Sequence, residues 1–127
     1  RPLNYPDGAP GIGATVVTAR DGLPVGVINL QGRVFMNPLD AEVRGIHDGD
    51  PVRVWNDRGE LILPARVTPR ILPGVVDIPQ GAWWAPDEDG TDRGGATNVL
   101  TSERLTPFAH GCAAHTMMVQ VDREGAR

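Results

Sequence analysis

The chain has 127 residues, 40% of them hydrophobic, and a formal net charge of −4, a size that suits one domain whose core needs no metal or disulfide staple. Its charges are interspersed, which argues against nucleic acid as a partner, and no apolar run approaches the roughly 20 residues of a membrane helix. The one cysteine, Cys112, can form neither an intramolecular disulfide nor a cysteine metal cluster.

The 16 glycines and 12 prolines favour frequent turns over long helices. The chain opens on Arg1 rather than Met and is expected to be a fragment or a processed product. Residues 1–13, dense in Pro and Gly, read as an arm. Residues 14–19 read as a strand from their β-branched content, Asp21-Gly22 as a hairpin turn, and Val25 to Leu30 as a second strand. Gln31-Gly32 turns the chain into a short third strand, Val34 to Met36. Asn37 is suited to cap a helix that begins at Pro38, with Asp40 and Glu42 near its positive end. Gly45 leaves room for only two turns.

Asp48-Gly49-Asp50 then turns into a strand, Pro51 to Trp55, with Val52 and Val54 on one face. Asn56 to Gly59 reads as a hairpin turn into Glu60 to Val67, where Leu61, Leu63 and Ala65 alternate with Ile62 and Pro64. Val75 to Ile78 reads as a short buried strand and residues 83–97 as a long polar loop. Thr97 to Thr101 reads as a brief strand, residues 102–114 as irregular, His115 to Val121 as the last strand, and residues 122–127 as a frayed tail. Many short strands and one small helix fit a mainly β fold, a small barrel forming a single domain over residues 1–127.

Three segments between about residue 36 and residue 121 carry a resemblance. They are MNPLDAEVRGIHDGDPVRVWNDRGE, VTPRILPGVVDIPQGAWW and GGATNVLTSERLTPFAHGCAAHT. In this order and spacing they resemble the molybdopterin-dinucleotide-binding C-terminal domain of the dimethyl sulfoxide reductase family. The resemblance implies a six-stranded double-psi β-barrel with one or two short helices. It implies a module that covers the nucleotide parts of molybdopterin guanine dinucleotide and is not catalytic alone. The molybdenum or tungsten ion, its protein ligand and any iron–sulfur cluster belong to other domains, so the remaining domains of a molybdenum oxidoreductase are the expected partners. A cytoplasmic location is expected for the chain on its own, and a periplasmic one is open for the parent enzyme.

A second resemblance covers residues 1–35. RPLNYPDGAPGIG and VGVINLQGRVFM are similar to a segment of a bacterial metallophosphoesterase family that lies between its metal-ligand motifs and holds none of them. Phosphoesterase activity is therefore not implied, and an inactive metallophosphoesterase fragment is the weakest of the alternative readings. Two origins stand open: a natural variant start, or a recombined or engineered chimera with its junction near Met36 to Asp40. A chimera is expected to retain no activity and to close its strand edges by self-association into an oligomer.

A dinucleotide needs donors for its pyrophosphate, a partner for the guanine edge and a surface for stacking. The stretch Gly94 to Asn98 offers backbone N–H groups to phosphate, and Arg93 a two-pronged cation. The alternative is a solvated surface loop. Trp83 and Trp84, adjacent in sequence, point to opposite faces of an extended segment, so one is expected to pack and the other to stack on a base or pterin. Asn98 can bond a base edge or simply hold a turn. Asp87, Glu88, Asp89 and Asp92 read as a solvated acidic turn rather than a cation site, and His47 as a solvated turn residue. His110, Cys112 and His115 lack a usual zinc spacing, and Ser102 and Cys112 lack a nucleophile's context. The resemblance adds Gln80 and Gly81, in its cofactor-side turn, and His110 and His115, at positions close to the pterin and at the start of the last strand. The expected cofactor-binding set is thus Gln80, Gly81, Trp83, Trp84, Arg93, Asn98, His110 and His115, with no catalytic residue and no metal ligand.

Overall fold

The computed structural model describes residues 14–28, 32–111 and 117–126. The chain divides into two compact units, residues 1–31 and residues 32–127. In the first unit, β1 (Ala14–Thr18) and β2 (Pro24–Ile28) form an antiparallel pair with Val16 opposite Gly26. The turn between them is held by the Asp21 carboxylate, which accepts from Leu23 N at 3.2 Å, and by Gly22 in the left-handed region at φ +84°. All five residues of β1 are exposed. Asn29 and Leu30, expected to extend the second strand, lie outside the described residues.

The second unit is built on a five-stranded sheet in the order β6-β3-β5-β4-β7. Its strands are β3 (Val34–Met36), β4 (Pro51–Trp55), β5 (Glu60–Val67), β6 (Val76–Asp77) and β7 (Gln120–Arg123). Among the described residues the chain is thus mainly β, with a single α-helix, α1 (Pro38–Val43), and a 3₁₀ turn at Thr97–Val99. The helix starts as its sequence dictates: Asn37 Oδ1 accepts from Leu39 N at 2.9 Å and Pro38 occupies the first turn. Asn37 is itself buried, and its side-chain amide donates to Ile71 O at 2.6 Å, so the cap also anchors the approach to β6. Gly45, at φ +62°, ends the helix where an L residue would be strained.

The β4–β5 hairpin follows the alternation. Val52 faces Leu63 and Val54 faces Leu61 across the ladder, and all four are buried. The short β3 runs parallel to β5, with Val34 opposite Ala65, and so brings Val34 and Met36 into the same core. Ala41, Ile46, Leu100 and Val121 complete it. Burying side chains of this size stabilises by about 1.5–3 kcal/mol each.

Three elements depart from the reading of the sequence. Thr97–Val99 is a 3₁₀ turn and not a strand, because the run has no ladder partner and closes its own hydrogen bonds, Leu100 N to Thr97 O at 3.0 Å among them. The last strand is Gln120–Arg123: of the expected His115 to Val121, Met117 to Val119 precede the ladder, and pairing with the five-residue β4 sets Gln120 opposite Trp55 and Arg123 opposite Val52. Asp122 and Arg123 are therefore ladder residues and do not fray; residues 112–116 lie outside the described set. Strand β6 is only Val76–Asp77, paired with Phe35 and Met36, and neither of its residues is buried.

Candidate functional site

The loop from Gln80 to Ala96 leaves β6, turns over at Asp87 to Gly90 and returns alongside itself. The turn is tight because Asp87 Oδ1 accepts from Asp89 N and Thr91 N, at 3.1 and 3.0 Å, and Gly90 takes φ +84°. Asp92 then ties the two limbs. Its carboxylate is 1% exposed and accepts four backbone N–H groups: Ala85 at 2.8 Å and Gly94 at 3.0 Å on Oδ1, Gly95 at 2.9 Å and Ala96 at 2.6 Å on Oδ2. Its carbonyl accepts from Ile62 N at 2.9 Å and fixes the loop to β5.

This geometry corrects two expectations. Asp92 is no part of a solvated acidic turn; it is a buried acceptor fully engaged by backbone donors. The N–H groups of Gly94, Gly95 and Ala96, read as a phosphate cradle, already point at that carboxylate. Gly94 is needed for close approach, since a Cβ there would overlap the carbonyl oxygen of Trp83. Of the rest of the acidic stretch, Asp87 is paired as well. Asp87 accepts from Arg93 Nε at 2.8 Å, and this bond holds its carboxyl below the usual carboxylate range. Glu60 is held below its ordinary value by Arg53 first and by the Thr91 hydroxyl second.

Of the expected binding residues, the loop brings four together. Gly81, Trp83, Trp84 and Asn98 line one open concavity, together with Ala82, Ala96 and Val99. Both tryptophans are exposed, Trp83 by 73% and Trp84 by 63%, so the expectation that one packs in the core does not hold. Their segment lies outside any strand, and the strict two-face alternation of extended sheet does not govern it. Gly81 has φ +100°, a conformation that L residues rarely adopt. Asn98 is exposed on the 3₁₀ turn, and its backbone carbonyl accepts from the Thr101 hydroxyl at 3.1 Å.

Gln80 lines a neighbouring hollow with Ile78, Thr97, Leu100 and Val119. Arg93 lines neither hollow: Nε is bound by Asp87 and Nη2 by Glu124 at 2.9 Å, and both contacts raise its pKa, Asp87 the more. His110 is exposed in a separate turn at φ +50°, with its N–H on Thr106 O at 3.1 Å. His115 and Cys112 lie outside the described residues. His47 is a solvated turn residue beside Asp50, whose carboxyl is held down chiefly by the His47 N–H.

The reading of the sequence missed what supports the 3₁₀ turn. Asn56 Nδ2 and Arg58 Nε each donate to Leu100 O at 2.9 Å, so the β4–β5 turn grips the end of the segment that presents Asn98. Only the turn propensity of Asn56 to Gly59 was visible in sequence; a contact 42 residues away along the chain was not. Among the described residues, no three His, Cys, Asp or Glu side chains gather as metal ligands, and no helix is long and apolar enough to cross a membrane.

The sequence pattern of the molydopterin dinucleotide binding domain matches residues 16–118. The chain is 53% identical over 90 residues to dimethyl sulfoxide reductase DmsA of Escherichia coli, covering 71% of this chain and 11% of the reductase. It is 44% identical over 91 residues to biotin sulfoxide reductase of Cereibacter sphaeroides, with 70% and 12% covered. The fold is similar to part of acetylene hydratase from Pelobacter acetylenicus, with a TM-score of 0.61 and 16% identity over 72% of this chain and 14% of that one. The comparisons do not support the resemblance to a metallophosphoesterase or the chimera drawn from it, since the family pattern begins at residue 16, inside the stretch given a separate origin. The chain spans about one ninth of the reductases it matches, and it belongs to the molydopterin dinucleotide binding domain family, as found in the dimethyl sulfoxide reductases.

Proposed function

We propose that this chain is the wall of a molybdenum or tungsten oxidoreductase that closes over the guanine end of molybdopterin guanine dinucleotide. The observation that carries the reading is the concavity of Gly81, Trp83, Trp84 and Asn98, with two large aromatic rings left in solvent beside an exposed amide. Indole faces suit base stacking, an Asn side chain offers both a donor and an acceptor to a base edge, and Gly81 lets backbone approach a ligand. Gln80 extends the same wall, and the family resemblance is what assigns His110 to its pterin side.

The residues fit the guanine better than the pyrophosphate. The N–H groups of Gly94 to Ala96 serve Asp92, and Arg93 is held by two carboxylates. A phosphate would have to compete for Arg93, so most pyrophosphate donors come from other domains, which also carry the metal and the reaction. The five-stranded sheet of the second unit is compatible with a six-stranded double-psi barrel that is completed by one further strand. One wall of a buried cofactor gives only part of its contacts, so isolated affinity is weak.

Titration calorimetry with guanosine diphosphate tests the reading. Stacking contributes about 1–3 kcal/mol per base, so Trp84→Ala weakens binding roughly 5- to 150-fold, and Asn98→Ala weakens it too. Both residues are exposed, so the variants keep the parent's stability within about 0.5 kcal/mol. Equal binding by the parent and both variants would refute the assignment.

A further inference from the structure

We infer that Asp92 is the positioning residue of the tryptophan–asparagine surface, a built-in anion that holds both limbs of the loop where a bound phosphate would otherwise have to. The inference rests on the proposed guanine wall for its functional consequence, but its structural half stands on the loop alone.

Successive backbone N–H groups converging on one point form an anion site. Here Gly94, Gly95 and Ala96 converge in that way, and the anion they meet is a side chain of the same loop. The fourth donor, Ala85 N, comes from the opposite limb, directly after Trp84. One carboxylate therefore joins the segment that carries Trp83 and Trp84 to the segment that leads into Asn98. Its two oxygens divide the work: Oδ1 spans the limbs through Ala85 and Gly94, and Oδ2 shapes the return through Gly95 and Ala96. Gly95, at φ +99°, supplies the backbone conformation, with the Leu63 methyls 3.3 Å from where a Cβ would lie. The surface is thus formed before any ligand arrives, which removes an ordering cost from binding.

Amide hydrogen exchange on the ligand-free protein tests this first, without a variant. Ala85, Gly94, Gly95 and Ala96 should be protected alongside the β4–β5 ladder; exchange of all four at the rate of unprotected loop amides would overturn the inference. The isosteric Asp92→Asn removes the charge and turns an NH₂ group toward donors. Bonds to charged acceptors are the stronger ones, so the four amides should exchange about tenfold faster or more, while Val52, Val54, Leu61 and Leu63 keep their protection. Guanosine diphosphate affinity should fall by a similar factor, and Asp92→Glu, which keeps the carboxylate, should recover part of both. Unchanged loop protection in Asp92→Asn overturns the positioning role. No nucleotide binding by the parent protein refutes the guanine wall and leaves the exchange result to decide the role of Asp92.

Discussion

Gly94→Ala should be among the most damaging small substitutions in this chain. A Cβ at residue 94 would overlap the Trp83 carbonyl oxygen and lie 3.1 Å from both Cβ and N of Ala85. A backbone oxygen cannot rotate aside as a side-chain tip can, so one limb of the loop must move. That movement stretches Gly94 N to Asp92 Oδ1, now 3.0 Å, a part-buried bond to a carboxylate that is itself buried. Overpacking costs about 1–3 kcal/mol, and weakening a bond to a charged acceptor costs up to about 1.5–3 kcal/mol. Together the two give a loss of about 2.5–6 kcal/mol, a fall in Tm of roughly 10 °C or more for a domain of this size. Urea denaturation followed by tryptophan fluorescence measures it. Gly111→Ala is the control, because among the described residues the atom that a Cβ there would meet is Thr106 Oγ1 at an ordinary 3.7 Å; its stability should stay within about 0.5 kcal/mol. If Gly94→Ala matches that control, the close packing of the two limbs is wrong.

Asn37→Ala removes both the helix cap and the bond to Ile71 O, so it should destabilise by about 0.5–2 kcal/mol or somewhat more, read by thermal denaturation; a change indistinguishable from zero would contradict the capping geometry. Acid stability carries a sign. Glu60 and Asp87 have folded pKa values below their ordinary ones, so each stabilises the fold fully above its unfolded pKa of about 4 and loses that contribution as pH falls through the folded value. Stability should therefore be level from neutrality to about pH 5 and decline below about pH 4. Glu60→Gln should lower stability at neutral pH and flatten the decline, and an unaltered acid profile in both Glu60→Gln and Asp87→Asn would exclude these carboxylates as its cause.

The parts of the fold that sequence alone conveys are those set by neighbours in the chain. The Asn37-Pro38 start, the Gly45 stop and the alternation of Val52 and Val54 against Leu61, Leu63 and Ala65 all reappear in place. Contacts across long separations do not announce themselves. The parallel pairing of β3 with β5, the register that moves the last strand onto Asp122 and Arg123, and the grip of Asn56 and Arg58 on Leu100 O depend on which surfaces meet. The candidate site divides in the same way. Residue types alone marked Trp83, Trp84 and Asn98, because aromatic faces and amides have evident uses. They could not separate Asp92 from Asp87, Glu88 and Asp89: four acidic residues within six positions look alike until one is buried against four N–H groups. That burial also reassigns the glycines, whose donors are consumed by their own loop and so are not offered to a phosphate.

The central claim is that guanine rests against the two exposed indoles beside Asn98. Nitrogen-15 correlation spectra of the protein titrated with guanosine diphosphate test it most directly. The claim requires saturable shifts in the indole N–H signals of Trp83 and Trp84 and in the side-chain amide of Asn98, with the Trp55 indole, bonded to Asp122 at 3.1 Å, left unmoved. Saturable shifts confined to Arg93, the β1–β2 hairpin or any surface away from this concavity would contradict it.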